Sequence, residues 1–164
     1  MKSIIVYYSL TGNVDYVARK IAEKLDSDIL PLSVLNAYPD KGFKKFYWGG
    51  KSAVMKESPE LNEYKFDKDK YDLVILGTPV WAGTFTPPLR TFIRDNDLKC
   101  KDLSFFACCS GAGTMRCINN LKHEIGIDKE TINLELVDPK DKNDDYVCQK
   151  IDEYCKKIKE AYEK

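Results

Sequence analysis

The chain has 164 residues, of which 43% are apolar and 32% are charged, and its formal net charge is zero. This length suits one domain, which we predict to span residues 1–164. Lysine and arginine are scattered among acidic residues, which argues against nucleic acid or a membrane as the main partner. The apolar runs are too short for a signal peptide or a membrane span, so we expect a soluble cytoplasmic protein, either a monomer or a weak dimer.

Apolar runs and segments with helical periodicity alternate along the chain. Runs typical of strands covered on both faces lie at 3–8, 28–32, 73–77, 103–109 and 132–137, of which the second is the weakest. Apolar residues at helical spacing mark helices within 14–25, 89–93, 118–125 and 147–162. This alternation predicts an α/β fold, a three-layer sandwich around a five-stranded parallel sheet. We expect the strand order 2-1-3-4-5, taken from known doubly wound sheets of this kind.

Residues 33–70 form the least regular part of the sequence. A helix is expected to begin at Pro39-Asp40-Lys41 and to weaken or end at Gly49-Gly50. The side chains expected to pack this helix are Phe43, Phe46, Tyr47 and Val54. Residues 57–70 are polar and contain Pro59, which is typical of a surface loop.

The segment between the first strand and the first helix is rich in small polar residues. It reads Ser9, Leu10, Thr11, Gly12, Asn13 and Val14. A helix N-terminus presents unpaired N–H groups and partial positive charge, and glycine lets the backbone approach a ligand closely. These features predict a phosphate site built from amides and hydroxyls without any lysine or arginine. The alternative is an N-cap with a tight turn, which needs only one or two such residues.

Two further loops follow the third and fourth strands. The second loop carries Thr78, Pro79, Val80, Trp81, Ala82 and Gly83, and the third carries Cys109, Ser110, Gly111 and Gly113. Trp81 suits stacking on a flat aromatic ring, although it would also serve to cover the edge of the core. The third loop leaves room for a ligand, although it also fits an ordinary turn with Thr114 as N-cap. Because the carboxyl ends of parallel strands meet at one edge, the three loops are expected to form one crevice.

Two of these loops resemble motifs of the flavodoxin family. Residues 8–13 are similar to the family's phosphate loop, Ser/Thr-x-Thr-Gly-x-Thr, and Val14 stands where the family usually has threonine. Residues 77–81 resemble the run Gly-Thr/Ser-Pro-x-Trp of some members. The resemblance implies a short-chain, flavodoxin-like protein that binds FMN through the three loops. Binding is expected to be weaker than usual because one hydroxyl contact to phosphate is missing.

The third loop lacks the aromatic residue with which many flavodoxins cover the second face of the flavin. Either Trp81 stacks alone, or Met115 or a residue of 43–48 covers that face. A site without cationic side chains would disfavour negative charge on the reduced flavin and lower its potential. The resemblance therefore implies a low-potential electron-transfer flavodoxin that serves redox partner proteins.

Two other functions stay open. An FMN-dependent NAD(P)H:quinone-type oxidoreductase with a small-molecule acceptor is favoured by the neutral net charge, since electron carriers of the family are usually acidic. It is also favoured by the uncovered flavin face. A flavodoxin-fold interaction module that has lost FMN is the third possibility, and Val14 is its only hint.

The chain also contains six cysteines and one histidine, the residue types that most often bind metals or act as nucleophiles. Zinc-type spacing is absent, and we expect no metal site. We expect reduced, mostly packed thiols, with Cys148 and Cys155 on the core face of the last helix. His123 is expected on the surface of a helix. No general base is apparent beside Cys108 or Cys109, so no catalytic residue is predicted.

Overall fold

The computed structural model describes residues 1–36, 50–99, 101–140 and 144–162. The strands are β1 Ser3–Tyr7, β2 Asp28–Pro31, β3 Leu73–Pro79, β4 Asp102–Cys109 and β5 Asn133–Val137. The helices are α1 Asn13–Leu25, α2 Pro87–Asp95, α3 Thr114–Ile125 and α4 Asp144–Tyr162. Residues 50–54 are also helical, and Lys68–Lys70 forms a single 3-10 turn.

The five strands form one parallel sheet in the order β2-β1-β3-β4-β5, which confirms the predicted fold class. One apolar cluster joins one face of the sheet to α1 and α4, and a second joins the other face to α2 and α3. The helical apolar stripes therefore lie where the sequence periodicity places them. In α1 the buried stripe is Val14, Val17, Ala18, Ile21 and Leu25.

Strand β3 is longer than predicted, because Thr78 and Pro79 continue the ladder opposite Ala107 and Cys108 of β4. Gly77, the predicted last residue of the strand, therefore lies inside it. A Cβ atom on Gly77 would fall 2.1 Å from the ring of Phe106, so glycine is needed there to admit the ring. The loop that can meet a ligand therefore begins near Val80.

The segment before β3 differs from the prediction at one residue. Val54 is 66% exposed instead of packed, whereas Gly50, expected to weaken or end a helix, lies within a helical turn. The predicted helix start at Pro39, and the aromatic residues at 43, 46 and 47, lie outside the described residues. Residues 57–70 are irregular apart from one 3-10 turn and an isolated antiparallel bridge between Leu61 and Val34, and Tyr64 and Phe66 contact the ring of Phe92.

The five cysteines among the described residues are free thiols. Cys155 is buried as predicted, but Cys148 is only partly buried, and Lys20 Nζ donates to its sulfur at 3.4 Å. Cys148 sits at the margin of the stripe of α4 that begins at Val147, which explains why the prediction of a core position was wrong for it. None of the described helices is long and apolar enough to cross a membrane.

Candidate functional site

A cavity of about 430 Å³ opens where β1, β3, β4 and β5 end. Its walls come mainly from the segments that follow these four strands, which are neighbours in the sheet. Because the strands are parallel, these segments all lie at the same edge of the sheet. The lining residues are Ser9, Leu10, Thr11, Asn13, Val14, Gly50, Pro79, Val80, Trp81, Ala82, Cys108, Cys109, Ser110, Asp138 and Lys140. Most of the residues predicted to bind the cofactor are therefore brought together at this edge.

The first loop leaves backbone donors at the cavity. Gly12 precedes α1 with φ of +90°, a left-handed conformation that glycine adopts without strain. Within the first turn, Asp15 N–H donates to Ser9 Oγ at 3.2 Å and Tyr16 N–H donates to Gly12 O at 3.0 Å. The N–H groups of Asn13 and Val14 have no hydrogen-bond partner among the described residues. They present the positive end of the helix dipole to the cavity.

Lys140 adds a cation to this loop, which the sequence analysis did not anticipate. Its side chain lines the cavity, and its Nζ atom lies 3.1 Å from the point that a Cβ atom on Gly12 would occupy. The expectation of a site without lysine or arginine is therefore wrong. Lys140 and Asp138 follow β5, whose carboxyl end lies at the same edge of the sheet. The predicted strand order therefore already indicated that a fourth segment would reach the site.

The amide of Asn13 brings an unpaired acceptor into the site. Its Oδ1 atom is buried and has no hydrogen-bond partner among the described residues. A buried polar atom of this kind is normally satisfied by water or by a ligand. Asn13 lines the cavity, so a hydroxyl group of a bound molecule would find an acceptor there.

The carboxylate next to this loop is already neutralised by its neighbours. Asp15 accepts from Arg19 Nε at 2.9 Å and from Tyr7 Oη at 2.5 Å. These two hydrogen bonds, that of Arg19 first, hold the pKa of Asp15 below its usual value. Burial, reinforced by Asp15, raises the pKa of Tyr7, which therefore remains a donor at neutral pH. An anion bound at Gly12 thus meets a carboxylate whose charge is paired.

The second loop is a tight hairpin that holds Trp81 at the cavity. Trp81 and Thr84 exchange backbone hydrogen bonds of 2.8 and 3.0 Å, and Ala82 and Gly83 have φ values of +50° and +76°. Such values belong to a two-residue turn with left-handed central residues. Trp81 is partly buried, and its ring meets that of Tyr8 edge to face with 5.8 Å between centroids. The indole is therefore positioned by the hairpin and by its edge-to-face contact with Tyr8.

Five predicted contact residues are not lining residues of this cavity, and one of them is Gly12, which shapes the first loop instead. Thr78 is buried, and its hydroxyl accepts from Thr86 N–H at 3.2 Å, so it supports the hairpin from within. Gly83 and Gly113 lie against each other, since a Cβ atom on Gly113 would be 3.7 Å from Gly83 Cα. Gly111 is exposed, with open space around it. Gly83 and Gly113 therefore let the second and third loops approach each other.

The third loop contributes Cys109 and Ser110. Met115, one candidate for covering the second flavin face, is 48% exposed and does not line the cavity. The other candidates, residues 43–48, lie outside the described residues. Burial raises the pKa of Cys108, so this thiol stays protonated and is a poor nucleophile. Within the described parts of the chain, no group of three His, Cys, Asp or Glu residues is placed to hold a metal.

Comparison with known proteins identifies a family and several similar folds. The family model described as Flavodoxin matches residues 2–144. The crystal structure of a flavoprotein from Lactobacillus acidophilus in complex with FMN has 22% identity and a TM-score of 0.70, covering 85% of this chain and 94% of that chain. The apo-form of the Lactobacillus acidophilus flavoprotein, determined by NMR, has 24% identity and a TM-score of 0.63, with coverages of 86% and 95%. A flavodoxin from the domain Archaea has 18% identity and a TM-score of 0.55, with coverages of 97% and 99%. Identities this low show a shared fold.

Proposed function

Because this chain belongs to the flavodoxin family, we propose that it binds FMN in the cavity at the sheet edge and works as an electron-transfer protein. FMN supplies the redox chemistry when bound, and the protein determines its position and potential. The observation that carries the proposal is the pairing of two unsatisfied helix amides, at Asn13 and Val14, with the ammonium group of Lys140.

The residues present fit each part of the cofactor. The phosphate group would be held by the amides of the first loop and Lys140, with the hydroxyl of Thr11 beside them. The buried Oδ1 of Asn13 offers an acceptor for a ribityl hydroxyl. A volume of about 430 Å³ falls within the range of small-molecule pockets. Val14 offers its backbone N–H but no hydroxyl, so it contributes one contact fewer than a threonine would.

The flavin ring would lie between the second and third loops. Val80, Trp81 and Ala82 form one wall, and Cys109 and Ser110 form the other. These residues carry no charge, and the cation of the site, Lys140, lies at Gly12 instead. No described lining residue of these two walls is a cation, and Arg116, which reaches the hairpin at Gly83, lines the adjoining cavity instead. This environment favours a low potential for the second electron.

The cavity offers little acid–base machinery, which supports an electron carrier over a reductase. Among the described lining residues, the ionisable ones are Asp138, Lys140 and two thiols, of which Cys108 stays protonated. The alternative, an NAD(P)H:quinone-type oxidoreductase, is supported by one observation: a second cavity adjoins the first at Ala82. The partner is then a small molecule, whereas for the carrier it is a redox protein.

Addition of FMN to flavin-free protein tests the binding proposal. We expect saturable quenching of flavin fluorescence at one FMN per chain. Potentiometric titration of the complex should then resolve two one-electron steps, and NADH or NADPH with a quinone should give no catalytic turnover. A single two-electron step together with rapid turnover would support the reductase instead. Absence of FMN binding would contradict both functions.

A further inference from the structure

A second cavity, of about 230 Å³, shares Ala82 with the proposed flavin site. The hairpin that carries Trp81 forms one wall, through residues 82–85, and Ala53, Val54 and Lys56 contribute another. One face of α3 forms the remaining wall, with lining residues at positions 116, 120, 123 and 124. These positions are three to four residues apart or adjacent, so they project from the same side of the helix.

A buried arginine lines this second cavity. Arg90, in α2, is only 4% exposed, and its Nε and Nη1 atoms are buried without a hydrogen-bond partner among the described residues. The carboxylate of Glu124 lies 3.5 Å from Nε, which gives an ion pair but not a hydrogen bond. The ring of Phe85 covers the guanidinium, with 4.5 Å from the ring centroid to Cζ. Arg90 is thus held in place by packing while two of its donor groups stay unused.

Unused donors on a buried cation are energetically unfavourable. Removing a charged group from water costs free energy, and this cost is offset only when the group forms its hydrogen bonds inside the protein. A ligand that accepts hydrogen bonds from Arg90 would offset this cost. Both N–H groups are donors on a cation, and the oxygen atoms of a carboxylate or a phosphate accept strong, charge-assisted hydrogen bonds from such groups.

The charges around Arg90 also favour an anion. Arg116 and Lys56 line the same cavity, whereas Glu124 is the only carboxylate among its described lining residues. Arg116 reaches the hairpin, because a Cβ atom on Gly83 would lie 3.7 Å from its Nη1 atom. Two arginines and one lysine against one carboxylate leave an excess of positive charge among the described lining residues.

We propose that this second cavity binds the oxyanion group, a carboxylate or a phosphate, of a small organic electron donor or acceptor. Arg90 binds the oxyanion, Arg116 adds a second charge, and the rest of the molecule extends past Ala82 towards the flavin. The redox role of the ligand rests on the proposed FMN function, whereas binding of the anion does not.

Nuclear magnetic resonance of the Arg90 side chain tests this proposal directly. Because Arg90 Nε is buried, its N–H signal should be protected and sensitive to an anion within hydrogen-bond distance. Sodium phosphate and sodium acetate are added separately to protein saturated with FMN, with sodium chloride at equal ionic strength as the reference. We expect a saturable shift of the Arg90 Nε–H signal with one or both oxyanions and none with chloride.

Variants separate a built site from general attraction to a positive surface. Arg116→Gln should weaken oxyanion binding about tenfold, as loss of one charge-assisted hydrogen bond would. The matched control is Arg94→Gln, which removes an exposed arginine of the same helix as Arg90 and should leave the affinity unchanged. Both variants keep Arg90 and its reporter signal, so the comparison of Arg116→Gln with Arg94→Gln decides.

The outcomes separate this proposal from the proposed function. The same titration without FMN should still shift the Arg90 signal, so a protein that binds anions there but not FMN would refute only the flavin function. A response to phosphate alone or to acetate alone identifies which oxyanion the ligand carries. No saturable shift, an equal shift with chloride, or equal affinity in Arg116→Gln and the wild type would overturn the anion site.

Discussion

Replacement of Lys140 by glutamine tests the part of the site that the sequence did not reveal. Lys140 Nζ lies 3.1 Å from the position of a Cβ atom on Gly12, at the turn that would hold the phosphate. Glutamine keeps most of the side-chain length and removes the charge. Because no hydrogen bond of the described fold depends on Lys140, we expect the variant to fold normally and to bind FMN more weakly.

The size of the effect follows from the exposure of Lys140. Two unit charges about 4 Å apart attract by about 1 kcal/mol in water and by about 4 kcal/mol near a protein surface of lower dielectric. Lys140 is an exposed residue, so its attraction to the phosphate should be near the lower value. A loss of about 1 kcal/mol corresponds to FMN binding that is about fivefold weaker. The effect should shrink as ionic strength rises, since salt screens exposed charges.

Affinities of FMN and riboflavin for the wild type and for Lys140→Gln form a double-mutant-type cycle. Riboflavin lacks the phosphate, so its affinity should be the same for both proteins, and the whole loss should appear with FMN. Lys157→Gln is the matched control, because it removes an exposed lysine of α4 that does not line the cavity. Equal weakening of riboflavin and FMN, or unchanged FMN affinity at low salt, would refute the placement of Lys140 at the phosphate.

Three other substitutions or conditions give further tests. Val14→Thr restores the hydroxyl usual in the family, and we expect FMN binding several-fold tighter by fluorescence titration; tighter riboflavin binding of the same size would contradict a phosphate contact. Gly77→Ala forces a Cβ atom to within 2.1 Å of the Phe106 ring, so urea denaturation should show a loss of about 2–3 kcal/mol, and an unchanged midpoint would contradict the packing. Burial raises the pKa of Tyr7 and of Tyr154 in the folded state, while both ionise near their ordinary value of about 10 when unfolded. Their contribution to stability is therefore complete below about pH 10 and falls as pH rises further, so the urea midpoint should drop less steeply above pH 10 in Tyr154→Phe than in the wild type.

The sheet and its helices were predictable because each depends on a local pattern. The stripe from Val14 to Leu25 follows helical spacing, and each strand core is a short apolar run. The end of β3 was not predictable from such patterns. Thr78-Pro79 is typical of a turn by itself, but pairing with Ala107 and Cys108 extends the strand through it. Tertiary pairing overrides local preference at that point.

The first loop was predictable because its residues are consecutive in the sequence. The positions of the cationic side chains were not predictable, because they depend on contacts between distant residues. Lys140 reaches Gly12 only through the fold, and no spacing in the sequence links them. Arg90 likewise belongs to a helix whose apolar residues predict burial of one face, and its position above Phe85 emerges from the packing of that helix against the hairpin. Chemistry that depends on distant residues requires the structure.

The location of the phosphate in a crystal of the FMN complex tests the central claim most directly. We predict phosphate oxygens within about 2.7–3.2 Å of the backbone nitrogens of Asn13 and Val14, with Lys140 Nζ at the same group. A phosphate bound elsewhere on the chain, or crystals that stay free of flavin in saturating FMN, would contradict the claim that this helix N-terminus is the anion site.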